Sequence, residues 1–184
     1  GIAASLYDAC MSNTPTIRAV LWDFGGVILS SPFDAFHRYE VDHGLPEGFI
    51  RSVNATNPDD NAWAHLERND ISAVQFDARF AGESAALGHR IPGGDVLALL
   101  AGEVRPQMVE ALDRVLSFGL RMACLTNNVA GSASPERALV IDAVMARFHA
   151  VIESSKVGVR KPEPRFYEIA CATIEVEPTE CVFL

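Results

Sequence analysis

Apolar residues fall along this chain in two rhythms, and the change from one to the other sets out its organisation. Apolar runs of strand length occur at Ala19 to Trp22, Leu120 to Leu125 (with RMACL at its heart), Ala150 to Ile152 and Cys181 to Leu184. Runs of this kind suit parallel strands covered on both faces. Between them the apolar positions recur at helical spacing. Pro106 opens a helix with Met108, Leu112 and Val115 on one side, and Gly119 closes it. A loop from Gly131 to Pro135 leads to a helix with Leu139, Ile141, Val144 and Met145, and Pro164 opens another with Phe166, Ile169 and Ala170. Strand–helix alternation predicts a parallel sheet with helices on both faces.

After Ser30-Ser31-Pro32 the strand-like runs stop. Pro32 to His43 reads as a helix with Phe33, Phe36 and Tyr39 at helical spacing and Gly44 as its end. Pro46, at a first helical position, opens a second with Phe49, Ile50 and Val53, which Asn57-Pro58-Asp59 breaks. Asp60 to Arg68 forms a third, with Trp63 and Leu66 on one face. Ser72 and Gln75 make a capping box for a fourth, which carries Phe76 and Phe80 and ends at Gly88. These aromatics suit the core of a helical bundle better than a cofactor site. Pro92-Gly93-Gly94 then reads as a boundary. The expected division is an α/β core of residues 15–31 and 95–184, with an all-helical insertion over 32–94.

Composition narrows the function classes. The 184 residues are 49% hydrophobic and 21% charged, the balance of a globular domain with a sizeable core. A net charge of −9 disfavours nucleic acid and anionic membranes as partners. No apolar run approaches the ~20 residues of a membrane span. The four cysteines are scattered without a C-x-x-C pair, which argues against a zinc site or a secreted disulfide scaffold. Cys124, inside an apolar run, reads as a small core residue. Gly1 to Cys10 lacks the pattern of a signal peptide, and Met11 reads as a natural start, so the cytoplasm is the expected location. A homo-oligomer is left open.

Three polar residues sit where strands end. Asp23 directly follows the first core strand, Thr126 the second, and Lys161 lies in the loop after the third. In a parallel sheet all three meet at the carboxyl edge, where such folds bind ligands. Gly25 and Gly26 let the chain turn sharply and let amides approach an anion. A carboxylate, a hydroxyl and an ammonium form a set suited to phosphoryl transfer: Asp23 attacks phosphorus, Thr126 holds an oxygen and Lys161 offsets charge. Singly, each has a plainer reading as a turn residue, a helix cap or a solvated lysine. Asp23-Phe24-Gly25 also spells the kinase metal-binding tripeptide, but only 22 residues precede Asp23, too few for the kinase elements that must come before it.

The ordered strings VLWDFGGVI, ACLTNN and GVRKPEPRFY resemble three of the four motifs of the haloacid dehalogenase-like hydrolases, over residues 17 to 184. The likeness is strongest to the branch holding phosphatase domains such as the N-terminal domain of soluble epoxide hydrolase. It implies a Rossmann-like core with a helical cap inserted after the first motif. It further implies Asp23 as nucleophile and Mg²⁺ ligand, the Gly25 carbonyl as a second metal ligand, and Lys161 as the charge-stabilising lysine. Phe24, Gly25, Thr126 and Asn127 would contact the substrate. Two departures follow from the same comparison. The position that usually holds a second, proton-donating aspartate is Gly25. The fourth, acidic motif would begin after a strand like CVFL, where the sequence ends, so a C-terminal part of the core is expected to be missing. The expected function is Mg²⁺-dependent hydrolysis of a small phosphorylated metabolite. Hydrolysis of 2-haloacids by the same aspartate, and a non-catalytic relative that binds a ligand or partner, remain as alternatives.

Overall fold

Four strands form one parallel sheet in the order β3-β2-β1-β4: β1 Ala19–Asp23, β2 Arg121–Thr126, β3 Ala150–Glu153 and β4 Cys181–Phe183. The computed structural model describes residues 16–128 and 135–184. The readings made of Gly1 to Cys10, of Met11 and of the loop from Gly131 up to Pro135 lie outside the described residues.

Successive side chains of a strand point to opposite faces, and over β1, β2 and β3 each face is covered. Ala19, Leu21, Ala123, Leu125 and Ile152 pack with Phe166, Ala170 and Ile174 of the segment around α9, Pro164–Thr173. Val20, Trp22, Met122 and Cys124 pack with Leu112 of α6, Pro106–Ser117, and Val144 of α7, Pro135–Met145. Phe166 and Leu112 are fully buried, each contributing about 1.5–3 kcal/mol relative to exposure. Cys124 is a core residue, as expected from its apolar surroundings.

Between β1 and α6 the chain runs out through five helices: α1 Phe33–Asp42, α2 Phe49–Ala55, α3 Ala62–Glu67, α4 Ala73–Ala86 and α5 Gly93–Ala98. It leaves and returns along a paired stem. Ser30 N–H donates to the Glu103 carbonyl at 2.7 Å, and Arg105 N–H to that of Ile28 at 2.9 Å. The helices share a core of their own, built on Phe36, Ile50, Leu66, Phe76, Phe80 and Val96. The Ser72–Gln75 capping box is present with both of its bonds. None of the helices among the described residues is long and apolar enough to cross a membrane.

Two local expectations are corrected. Pro46 does not begin a helix; α2 starts at Phe49, after Gly48 at φ +74°. The start is set from outside the segment: buried Glu40 of α1 accepts the N–H groups of Gly48 (2.8 Å) and Ile50 (2.9 Å), satisfying donors that a helix N-terminus leaves open. Pro92-Gly93-Gly94 is not a boundary either. It opens α5, whose Val96, with Leu97, Leu99 and Leu100 behind it, joins the helical core, so that core continues past residue 94 to Leu100. Gly93 serves close packing rather than a chain break, since a Cβ there would lie 2.8 Å from Asp77 Cα and 3.0 Å from the Phe76 ring. Gly93→Ala is therefore expected to destabilise the protein by about 1–3 kcal/mol. Denaturant unfolding checks this, with Gly94→Ala, whose nearest neighbour is 3.5 Å away, as the milder comparison.

Candidate active site

The parallel register aligns Asp23 with Leu125 and Thr126 with Glu153, so β1, β2 and β3 deliver their ends to one edge. After Asp23 the chain turns in a tight kink over Phe24–Ile28, with Gly25 extended (φ −73°, ψ 124°) and Gly26 at φ +81°. That positive φ is the conformation in which glycine is favoured. The Phe24 N–H donates to Asp23 Oδ1 at 2.6 Å, anchoring the carboxylate over the turn. β3 runs into a short helix, α8 Ser154–Val157, and the following loop presents Lys161, whose peptide bond to Pro162 is cis.

Lys161 Nζ lies 2.5 Å from Asp23 Oδ1 and donates to the Leu125 carbonyl at 2.9 Å. The ammonium thus ties the ends of β1 and β2 together. Asp23, Phe24, Gly25, Thr126, Asn127 and Lys161 all line one cavity of about 820 Å³. The helices and their stem add apolar side chains to its lining: Phe33, Trp63, Leu97, Leu100 and Ala101. Tyr167 and Phe183, which also line it, meet edge to face with 5.4 Å between centroids. Burial, and then the Asp23 charge, push the Tyr167 hydroxyl above the usual tyrosine range.

Asn127 is placed at the cavity, but its side-chain amide is committed to the backbone of Lys161. Its Oδ1 accepts the Lys161 N–H at 2.8 Å and its Nδ2 donates to the Lys161 carbonyl at 3.1 Å. Asn127 is a brace for the lysine loop. Asn128 braces the neighbouring turn, donating to Glu153 Oε1 and accepting from Ser155 N–H. Cys124, one strand position from the site, is held as a neutral thiol, pushed up to about 12 by burial, and supplies no thiolate nucleophile.

Glu67, the last residue of α3, is the site residue that sequence reasoning missed. It is only 5% exposed and lines the cavity beside Asn127. It accepts from Trp63 Nε1 (3.0 Å) and Asn127 Nδ2 (3.2 Å), and Arg160 Nε lies 2.5 Å from its Oε2. Burial raises its carboxyl above the usual range, opposed by the Arg160 charge. A glutamate at the end of a short helix carries no signal of this placement, because its partners lie far away in sequence.

The metal reading meets a sparse donor set. Among the described residues no cluster of three or more His, Cys, Asp or Glu side chains could hold an ion. Asp23 and the Gly25 carbonyl are nonetheless hard oxygen donors, the kind Mg²⁺ takes alongside waters and substrate phosphate.

Comparison with known proteins bears on the family. A family model described as haloacid dehalogenase-like hydrolase matches residues 17–184. Mouse acyl-CoA dehydrogenase family member 10 is 30% identical over 178 residues, covering 94% of this chain and 16% of that protein. Pig bifunctional epoxide hydrolase 2 is 28% identical over 183 residues, covering 91% of this chain and 33% of that one. The chain therefore spans a third or less of the length of these curated relatives. Among solved structures, L-2-haloacid dehalogenase from Xanthobacter autotrophicus, with chloropropionic acid covalently bound, superposes with a TM-score of 0.57 at 21% identity, covering 91% of this chain and 69% of that one. A HAD family enzyme from Bacteroides thetaiotaomicron, in complex with magnesium and inorganic phosphate, gives 0.56 at 15% identity, covering 91% and 83%. At such identities the structural likeness speaks for the fold, while the family model covers the strand-end residues themselves. With Asp23, Thr126 and Lys161 gathered at the edge of a doubly covered parallel sheet, the chain belongs to the haloacid dehalogenase-like hydrolases.

Proposed function

We propose that the chain is a phosphatase acting on a small phosphorylated metabolite through an aspartyl-phosphate intermediate. The observation that carries this reading is the Lys161–Asp23 contact at the carboxyl edge of the sheet, with Thr126 lining the same cavity. An Asp23 carboxylate oxygen bonds to phosphorus as the bond from phosphorus to the ester oxygen breaks, and the departing oxygen takes a proton from water. Water then cleaves the acyl phosphate, releasing inorganic phosphate and restoring the carboxylate. Lys161 offsets negative charge on nucleophile and phosphoryl group, and Thr126 holds a phosphoryl oxygen. Asp23 and the Gly25 carbonyl would hold Mg²⁺, which would supply further charge offset. Helices α1 to α5 act as the cap: their apolar side chains exclude water and select the organic part of the substrate.

Gly25 favours a second reading. It places no side chain where a proton donor would stand, and a departing halide needs no proton, so 2-haloacid hydrolysis by Asp23 fits the same geometry. A panel of phosphate esters and 2-haloacids, each with and without EDTA, separates the two. The expected result is phosphate release that EDTA abolishes and no halide release. EDTA-insensitive halide release would establish the second reading in place of the first.

A further inference from the structure

The helical segment and the α/β core meet through a double exchange of charge around Lys161. Glu67 and Arg68, consecutive at the end of α3, face Arg160 and Glu163 on the lysine loop. Arg160 Nε lies 2.5 Å from Glu67 Oε2, and Arg68 donates to Glu163 Oε1 from Nε (3.0 Å) and Nη2 (2.7 Å). Both arginines also hold the turn before α3: Arg160 Nη1 donates to the Pro58 carbonyl at 2.8 Å, and Arg68 Nη1 to that of Asp59 at 3.0 Å. The inner pair is the drier one, with side chains 7% (Glu67) and 13% (Arg160) exposed, against 19% and 32% for Arg68 and Glu163.

Charges this buried are retained only when paired, and breaking one partner leaves the other desolvated. Glu67 also reaches Asn127, whose amide grips both the N–H and the carbonyl of Lys161. A chain of contacts therefore runs from α3 through Glu67 to Asn127 and Arg160, and from there to the loop that aims Lys161 at Asp23.

We propose that Glu67 is a positioning residue: seated against the core, its carboxylate fixes Asn127 and Arg160, and through them the Lys161 loop, so that the catalytic pair assembles only when the helical segment is docked. The catalytic half of this role rests on the hydrolase reading of Asp23 and Lys161; the contacts themselves do not. Glu67 is also the one carboxylate besides Asp23 lining the cavity among the described residues, which invites a role as the proton donor that Gly25 lacks. Its partners argue otherwise. Both carboxylate oxygens already accept from donors, Oε1 from Trp63 and Oε2 from Asn127, so neither is left to present a proton to a substrate.

The test uses Glu67→Gln, Arg160→Gln and the double variant in this chain, read by hydrogen exchange and by steady-state kinetics. Exchange of the Lys161 amide, which Asn127 accepts, is expected to quicken by about tenfold or more in each single variant, while core β2 amides such as Ala123 keep their rates. With the phosphate ester that the unaltered chain hydrolyses fastest, kcat is expected to fall by roughly tenfold or more, with KM changing far less. The double variant should be less impaired than the product of the singles, since neither charge is then left alone. Unchanged Lys161 exchange, or equal acceleration of Lys161 and β2 amides, would overturn the positioning role. So would loss of a limb of the pH–rate profile with exchange unaltered, which would make Glu67 the proton donor. If Glu67→Gln fails to fold, Arg160→Gln releases the same loop and is judged by the same exchange criterion. Should the unaltered chain hydrolyse no ester at all, the phosphatase reading falls, and the exchange measurements still decide whether Glu67 holds the loop.

Discussion

Asp23→Asn is expected to bring hydrolysis by this protein down by roughly 10³-fold or more. An amide oxygen does not act as the nucleophile, and the neutral amide lacks the negative charge that attracts the Lys161 ammonium, which lies 2.5 Å from Oδ1. The fold should survive. Asp23 is partly exposed at the end of β1, and an amide oxygen can still accept the Phe24 N–H that now bonds Oδ1 at 2.6 Å. The measurement is kcat/KM on the best substrate of the panel, paired with a melting curve. Activity near that of the unaltered protein, with an unchanged melting temperature, would remove Asp23 from its role.

The second large effect runs in the opposite direction. Gly25→Asp is expected to raise phosphate release by roughly 10²–10⁴-fold, the range attributed to a positioned general acid–base group. The backbone at Gly25, φ −73° and ψ 124°, suits any L-residue, and a Cβ built there meets no atom within 4 Å. The position lines the cavity two residues after Asp23, so on the phosphatase reading a carboxyl group there can serve the leaving oxygen and then the attacking water. Neighbouring Gly26 is different. Its φ of +81° makes a side chain there strained, so Gly26→Asp serves as a control expected to lose stability without gaining rate. Halide release should not rise in Gly25→Asp, because a halide leaves without a proton. A folded Gly25→Asp protein, supplied with Mg²⁺, that releases phosphate no faster than before would count against the phosphatase reading.

The sheet was legible because its signals are local. The apolar runs at Ala19 to Trp22, Leu120 to Leu125, Ala150 to Ile152 and Cys181 to Leu184 correspond to the four strands within a residue or two. Pro106 and Pro164 mark helix starts through their fixed φ and missing N–H, and the Ser72–Gln75 box does so through bonds made within one turn. Once the strands are parallel, Asp23, Thr126 and Lys161 must come to the same edge, so their neighbourhood was written into their positions along the chain. What the sequence alone did not decide depends on partners distant along the chain. Gly93 reads locally as a breaker, and only its closeness to Asp77 and Phe76 makes it a packing residue inside the helical core. The start of α2 follows from the Glu40 carboxylate rather than from Pro46. Asn127 became a brace because its amide found the Lys161 backbone, 34 positions away. Glu67 and Arg160 are each ordinary surface residues by type; folding takes both out of water together, and a buried charge persists only beside its counterion. Periodicity and turn chemistry act over a few residues and can be read from the chain, whereas pairing across the fold exists only once the chain has closed on itself.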